Sequence, residues 1–330
     1  MRIVLDAMGS DQHPEPDVAG AVLAAREYGE PIILVGDEAR LEVELAKHDV
    51  AGLPLEIVHA DEVIEMTDKP GDVVRSKPNS SMHVGMRLVK EGQADAFVSA
   101  GNTGATLAIA TLNTLRRIRG IHRAAISAIF DFGDVSFIML DIGANTECRP
   151  EWLLQFAQMG GIYAERALGR ENPRIGLLSN GEETSKGTAL VQETAELLHA
   201  SGVNFIGNVE PKEILSGSVD VAVMDGFTGN IMLKTMEAIG ARMFDLLRTE
   251  LTADLRSSVG ALLSKPAFRR VGRRVDPFEV GGAPLLGVDG VVIIGHGRSN
   301  AIAIKNAIRQ ARYAVSGGIV QAIQASQGQA

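Results

Sequence analysis

Six short segments join glycine to hydroxyl, amide and charged side chains where a β-branched run ends. They are Asp6-Ala7-Met8-Gly9-Ser10-Asp11, Ser99-Ala100-Gly101-Asn102-Thr103-Gly104-Ala105, Asp141-Ile142-Gly143-Ala144-Asn145, Ser179-Asn180-Gly181-Glu182-Glu183 with Lys186-Gly187, Asp225-Gly226-Phe227-Thr228-Gly229-Asn230 and His296-Gly297-Arg298-Ser299-Asn300. Glycine lets backbone approach a ligand closely. A turn that opens directly into a helix presents free amides to an anion. Gly101, Asn102, Thr103 and Gly104 form the best such cradle, suited to phosphate. Taken alone, that turn reads more simply as a helix start capped by Asn102 or Thr103. Six such tails in one chain shift the reading to a ligand site, because ligands of open α/β sheets sit beyond the strand ends.

Several of these residues carry two readings. Asp6, Asp141 and Asp225 either orient donors or cap the turns after their strands. Glu182-Glu183 reads as the acidic first turn of the helix holding Lys186. A cation at that place opposes the helix dipole, which favours a ligand role for Lys186. His296 is the one histidine in a glycine-rich tail; the other six lack metal-ligand spacing. No H-E-x-x-H motif and no cysteine cluster occurs, so no metal site is expected. G-x-G-x-x-G and G-x-x-x-x-G-K-[ST] are also missing, so nucleotide binding lacks its signature. Cys148 is the single cysteine; no charge arrangement around it obviously activates a thiol, and it reads as a small packing residue at a helix start.

The elements that must hold these tails are strands alternating with helices. Strand-like runs are expected at Ile3–Asp6, Ile32–Gly36, Leu55–His59, Ala96–Ala100, Ile126–Phe130, Phe137–Asp141, Ile175–Asn180, Val219–Asp225 and Val291–His296. Amphipathic stretches lie at 17–28, 80–92, 103–117, 151–168, 187–201 and 300–313. This alternation predicts an α/β fold of three layers, α/β/α, around a mostly parallel sheet. Asp131-Phe132-Gly133-Asp134 signals a hairpin and a local antiparallel addition. Residues 231–275 break the rhythm. Met236, Ile239, Met243, Leu246, Leu247, Leu251 and Leu255 fall near helical spacing and predict a long helix or helix pair. Gly260 and Pro266 are expected to interrupt it. Its tip is expected near 259–268, with Leu262, Leu263 and Phe268 beside the cations Lys265, Arg269, Arg270, Arg273 and Arg274. A frayed polar tail is expected after about Ala322.

Composition is globular, with 45% apolar and 22% charged residues. The net charge of −9 argues against a general nucleic-acid binder. No apolar run approaches the roughly 18 to 20 residues that span a bilayer. With one cysteine and no leader-like start, a cytoplasmic location is expected.

In their order along the chain the tails resemble the bacterial phosphate acyltransferase family. The resemblance runs essentially from end to end. It is carried by D-A-M-G-S-D at 6–11, K-P-N-S-S-M at 77–82, S-A-G-N-T-G-A at 99–105, D-I-G-A-N at 141–145, S-N-G-E-E at 179–183 with Lys186-Gly187, M-D-G-F-T-G-N at 224–230, G-G-A-P-L-L-G at 281–287 and H-G-R-S-N-A at 296–301. Val280 stands where the family has an aromatic, and Pro211-Lys212 where it has Gly-Arg. The resemblance implies one α/β unit over 1–330, with two lobes around a cleft, similar to the phosphotransacetylase and isocitrate/isopropylmalate dehydrogenase folds. It also implies a homodimer without metal or nucleotide cofactor. Its reaction takes a long-chain fatty acyl group from acyl carrier protein to inorganic phosphate. The acyl phosphate then serves glycerol-3-phosphate acylation in phospholipid synthesis, by a membrane glycerol-3-phosphate acyltransferase.

On that reading Gly101, Asn102, Thr103, Gly104 and Lys186 hold phosphate. His296 is an acid for the departing thiolate, and Asn230 joins His296 and Lys186 in the catalytic set. Asn145, Asn230 and Ser299 hold the carbonyl oxygen or the thioester arm, with Asp6, Asn180, Asp225 and Asn300 as further substrate-side residues. Leu262, Leu263 and Phe268 would touch an anionic membrane peripherally, while the same basic cluster could instead receive the carrier protein. Two other readings stand beside this one. A short-chain phosphotransacetylase or phosphotransbutyrylase would use coenzyme A. A non-catalytic protein would bind acyl phosphate or phosphate on the same scaffold.

Overall fold

Val, Ile and Leu fill the strands on both faces, as buried parallel strands require. In the strand Ile3–Asp6, Ile3 and Leu5 enter one apolar cluster and Val4 enters another. Ala96 and Val98 likewise face opposite to Phe97. Each strand thus contributes to two cores, and helices cover both.

The computed structural model describes residues 1–327. The strands are β1 (Ile3–Asp6), β2 (Ile32–Gly36), β3 (Leu55–His59), β4 (Ala96–Ser99), β5 (Ala125–Asp131), β6 (Ser136–Leu140), β7 (Ile175–Leu178), β8 (Phe205–Val209), β9 (Val221–Val223), β10 (Ala283–Leu286) and β11 (Val291–Ile294). The first helices are α1 (Glu15–Tyr28), α2 (Glu38–Leu45), α3 (Pro70–Ser76), α4 (Ser81–Lys90) and α5 (Thr103–Ala108). A π-helical turn, Ile109–Asn113, continues α5, so the helix expected to reach 117 ends early. Then come α6 (Pro150–Leu168), α7 (Ala189–Ala200), α8 (Pro211–Leu215), α9 (Gly226–Leu251) and α10 (Leu255–Val275). The last are α11 (Pro277–Val280), α12 (Ala301–Ser316) and α13 (Ile319–Gln327).

One sheet of eleven described strands runs in the order β3-β2-β1-β4-β11-β10-β5-β6-β9-β7-β8. The block β3-β2-β1-β4-β11 is parallel throughout. So is the block β6-β9-β7-β8. Between them β10 is antiparallel to both neighbours, and the expected hairpin pairs β5 with β6. The second block therefore runs opposite to the first. The strand tails leave from two edges rather than the single edge expected. Right-handed twist of about 20–25° per strand turns the second block by about 60–75° relative to the first between β11 and β6.

The helix pair is present, but its geometry differs from the expectation. The turn is Thr252–Asp254, and α10 runs on through Pro266 without a break. A proline removes one helical hydrogen bond, and helix formers on both sides (Ala261, Leu262, Leu263, Ala267, Arg269) carry the helix through. At 1.5 Å per residue Phe268 lies about 20 Å back from the turn, and Leu262 and Leu263 about 12 Å. The segment 259–268 is thus a flank of α10 and not its tip. Of the frayed polar tail expected after Ala322, residues 323–327 are the end of α13, a helix anchored by buried Ile319 and Ile323, and 328–330 lie outside the described residues.

Candidate active site

The tails of β1, β4 and β11, three adjacent strands, interlock. Ser99 Oγ donates to Asp6 Oδ2 at 2.7 Å and accepts the Gly101 amide at 3.0 Å. The other oxygen of Asp6 accepts the Met8 amide at 3.1 Å. Asp6 is fully buried, and burial pushes its carboxyl above the ordinary aspartate value against the pull of Ser81 and Ser99. Asp6 therefore holds two turns together instead of meeting substrate. A Cβ on Gly9 would stand 2.8 Å from the Gly101 nitrogen, so this crossing admits only glycine. The third tail joins through Gly295, whose amide donates to Ser99 O at 2.7 Å, and through Asp11, whose amide donates to Gly297 O at 2.8 Å. Beneath them Ser10 Oγ donates to Asp17 at 2.5 Å, and burial pushes the Asp17 carboxyl up to about 8.

Two asparagines open helices side by side on this floor. Asn102 Oδ1 accepts the Ala105 amide at 3.0 Å and starts α5. Its Nδ2 donates to the carbonyls of Glu65, Met66 and Asp68 at 3.0–3.2 Å. The Asn102 side chain is saturated by the cap and by this loop, which corrects its assignment as a direct phosphate ligand. The amides of Thr103 and Gly104 meet no acceptor among the described residues. Asn300 Oδ1 accepts the Ala303 amide at 3.0 Å and starts α12 in the same way. Just before it, Ser299 Oγ is buried without a hydrogen-bond partner. His296 Nδ1 accepts the Arg298 amide at 3.0 Å, which leaves the ring hydrogen on Nε2. Loss of solvent around the ring, then Arg298 and Lys234, hold this imidazole below the ordinary histidine value. It is a neutral donor rather than an imidazolium acid.

The tails of β6 and β9 form a second interlock. Asp141 Oδ1 accepts the amides of Ile126, Gly143 and Ala144 at 3.0–3.1 Å. Oδ2 accepts the amide and the side chain of Asn145 at 2.8 and 2.9 Å. Asn145 Nδ2 also reaches Ala124 O at 2.8 Å, and the Gly226 amide donates to Asn145 O at 2.7 Å. Asn230 Nδ2 donates to Ile142 O at 3.2 Å. Asp225 caps α9, accepting the amide and hydroxyl of Thr228 at 2.9 and 2.7 Å. This capping corrects the substrate-side assignment of Asp225, whose oxygens are engaged. The charges of Lys234 and Glu237 on α9 act on His296.

The tail of β7 stands apart. Asn180 Oδ1 accepts the Gly187 amide at 2.9 Å, and Lys186 is exposed beside it. Sheet order sets β7 six positions from β4, about 29 Å along the sheet. Within one chain this separates Lys186 and Asn180 from the Gly101–Gly104 turn, a correction to the expectation that all six tails meet. Near that tail the carboxylates of Glu182, Glu210 and Glu213 lie within 4.8 Å of one another. Lys212 bridges them at 2.9–3.4 Å.

Beside Asn145 opens a cleft of ≈560 Å³ between the β6 tail and the π turn after α5. Its arginines, Arg117, Arg123 and Arg149, were not singled out from the sequence. The signal available was their density: five arginines fall within 116–149 of a chain of net charge −9. Cys148 also lines this cleft. Burial, then Asp141 and Asp225, push its thiol up to about 12, far from a reactive thiolate.

Residues 1–322 match the model of a family described as "Fatty acid synthesis protein". A phosphate acyltransferase of Geobacter sp. (strain M21) is 49% identical over 318 residues, covering 96% of this chain and 90% of the relative. Among solved structures, a phosphotransacetylase from Streptococcus pyogenes superposes with a TM-score of 0.61 at 18% identity, covering 98% of this chain and 94% of that one. A 4-hydroxythreonine-4-phosphate dehydrogenase from Klebsiella pneumoniae shares the fold at a TM-score of 0.54 and 15% identity, covering 96% and 99%. On the end-to-end match of sequence and fold, the chain belongs to the bacterial phosphate acyltransferase family, a family of acyltransferases.

Proposed function

We propose that this protein transfers a long-chain fatty acyl group from an acyl-carrier-protein thioester to inorganic phosphate, giving acyl phosphate for glycerol-3-phosphate acylation in phospholipid synthesis. One observation carries the reading: two asparagine-capped helix N-termini, α5 and α12, open from the adjacent strands β4 and β11. Free amides and aligned dipoles at such ends favour a dianion.

Hydrogen phosphate is already a nucleophile, so the site has to orient it, offset its charge and stabilise the tetrahedral oxyanion. The amides of Thr103 and Gly104, the first amides of α12 and the Ser299 hydroxyl supply the phosphate contacts. Gly101 and Asn102 shape that turn, and Asn300 shapes its counterpart. Asn230 faces the thioester, while Asn145, whose Nδ2 hydrogens go to Ala124 and Asp141, fastens the β6 turn. A phosphate oxygen bonds to the carbonyl carbon, the carbon–sulfur bond breaks, and the thiolate takes the proton that phosphate loses. Neutral His296 donates through Nε2–H to the departing sulfur. The raised Cys148 thiol has no part in this route.

The test mixes the protein with an acyl-carrier-protein thioester, with and without phosphate, and traps acyl phosphate with hydroxylamine. Thiol release matched by trapped product, only when phosphate is present, supports the reading; mass spectrometry should find no acyl group on Cys148. Thiol release without phosphate, or an adduct on Cys148, overturns it. Equal rates with acyl-coenzyme A would favour a coenzyme A-dependent phosphotransacylase.

The hairpin completes the proposal. Ile239, Met243, Phe244, Leu246 and Leu247 of α9 are exposed apolar residues that a second copy would cover, giving a homodimer. On α10, Leu255, Val259, Leu262 and Leu263 are exposed beside Lys265, Arg269, Arg270, Arg273 and Arg274. Each cation near an anionic lipid surface contributes about 1 kcal/mol. Among the described residues no helix is long and apolar enough to cross a membrane, and the proposed contact is peripheral. It would bring acyl phosphate to a membrane acyltransferase that consumes it.

A further inference from the structure

We propose that the cleft lined by Arg117, Arg123 and Arg149 takes the phosphodiester of the carrier protein's pantetheine arm. This rests on the reading of the acyl donor as a carrier-protein thioester and identifies where the far end of its arm is held. Three guanidinium groups share one cleft in a chain of net charge −9. Among the described residues arginine ion pairs hold Arg2, Arg174 and Arg312, and none holds these three. Guanidinium forks match phosphate oxygens two at a time.

The three side chains are held ready for such a ligand. Arg123 and Arg149 lie 4.6 and 5.8 Å from the centre of the Trp152 ring. Stacking on an aromatic face fixes a guanidinium plane and leaves its edge hydrogens free. Arg117 donates to the carbonyl of His122, and its segment is pinned on both sides. The Ile118 amide donates to Gly287 O at 3.0 Å, and the Asp289 amide to Arg116 O at 2.9 Å. Gln155 clamps the next loop, accepting the His122 amide at 2.9 Å and donating to Gly120 O at 2.8 Å. Buried pins under exposed cations are costly to build for a surface that only faces water.

The cleft is placed to hold an arm whose thioester lies at the phosphate turn that opens α5. Asn145 lines it from the β6 tail, and Leu107 and Thr111 line it from α5 and its π turn. Thr103, where α5 opens at the phosphate turn, lies about 12 Å from Thr111 at 1.5 Å per residue. The carbonyl end sits at the turn, the amides and methylenes of the arm run along Leu107, and the phosphodiester ends among the arginines. π turns are frequent at functional sites because they break the helical surface.

The experiment compares three donors of one acyl group: carrier protein, free 4′-phosphopantetheine, and pantetheine without the phosphate. Phosphate-dependent thiol release is measured for the full chain and for Arg117→Ala, Arg123→Ala and Arg149→Ala. A charged hydrogen bond lost at each arginine lowers kcat/KM on phosphorylated donors about tenfold to hundredfold, through KM. The ratio of kcat/KM on phosphopantetheine to that on pantetheine should be at least about tenfold in the parent and fall toward unity in the variants. That ratio is internal to each preparation, so partial unfolding does not move it. Arg123→Lys should restore part of it. An unchanged ratio in all three variants overturns the proposal. Losses confined to the carrier-protein donor also overturn it, and assign the arginines to the protein body instead. If the parent releases no thiol in a phosphate-dependent way from any donor, the acyltransferase reading fails, which is a separate result.

Discussion

The β6–β9 interlock and the α9–α10 hairpin follow each other directly in the chain, yet opposite forces hold them. In the interlock nearly every polar group has a partner, and a Cβ on Gly229 would stand 1.9 Å from the carbonyl oxygen of Asp141. Once α9 passes Met236, which packs on the body, the apolar side chains of the hairpin turn outward. No residue of α10 is buried. Hydrogen-bonded turns that admit one geometry suit the positioning of a reacting phosphate and thioester. A loosely held amphipathic pair suits a surface that another body completes. Stability and activity should therefore separate between the two regions.

The largest expected effect breaks the interlock. Gly229→Ala forces the Asp141 turn away and should cost about 3 kcal/mol of stability in denaturant melts, with activity lost alongside. A Gly229→Ala protein as stable as the parent would mean that this turn is soft. Asn102→Ala comes next. It removes a helix cap worth about 1 kcal/mol together with the tether to Glu65, Met66 and Asp68. Midpoint and phosphate affinity should fall together, whereas Thr103→Ala should lower neither by much, because its contribution is a backbone amide. The smallest effect on stability belongs to the hairpin. Replacing exposed Leu262 and Leu263 and half-buried Phe268 by Ser should move stability by no more than about 0.5 kcal/mol at each exposed position. Flotation with anionic vesicles should nonetheless be lost while activity in solution persists. A large loss of stability would mean that the flank is packed, and would withdraw the membrane contact.

Much of this division was legible in residue order. The β-branched runs marked nine strands because parallel strands buried on both faces are apolar throughout. Two strands escaped. Phe205–Val209 is interrupted by Gly207 and Asn208, and Ala283–Leu286 carries Pro284, which local propensity counts against a strand. β10 accommodates Pro284 as an antiparallel strand, with its carbonyl accepting from Ser127. The reversal between the two strand blocks was not legible, since strand order and direction are set by long-range pairing. For the same reason Lys186 was grouped with a turn that lies six strands away, and it lies in a loop before Thr188, the N-cap of α7, instead of in the first turn of a helix. Residue type identified the polar tails, but not which of their groups remain free. Asp6, Asn102 and Asp225 look like ligands in the sequence and serve as fasteners in the fold. The arginine cleft gathers residues from two segments and was visible only once Trp152 brought them together.

The central claim is that phosphate lies across the N-termini of α5 and α12. Titrating the protein with inorganic phosphate while following backbone amides by NMR tests this directly. Saturable shifts are expected at Thr103, Gly104, Ala301 and Ile302, with the Asn102 side-chain amide little changed. Saturable shifts confined to Asn180–Gly187 beside Lys186, with none at Thr103 and Gly104, would contradict it.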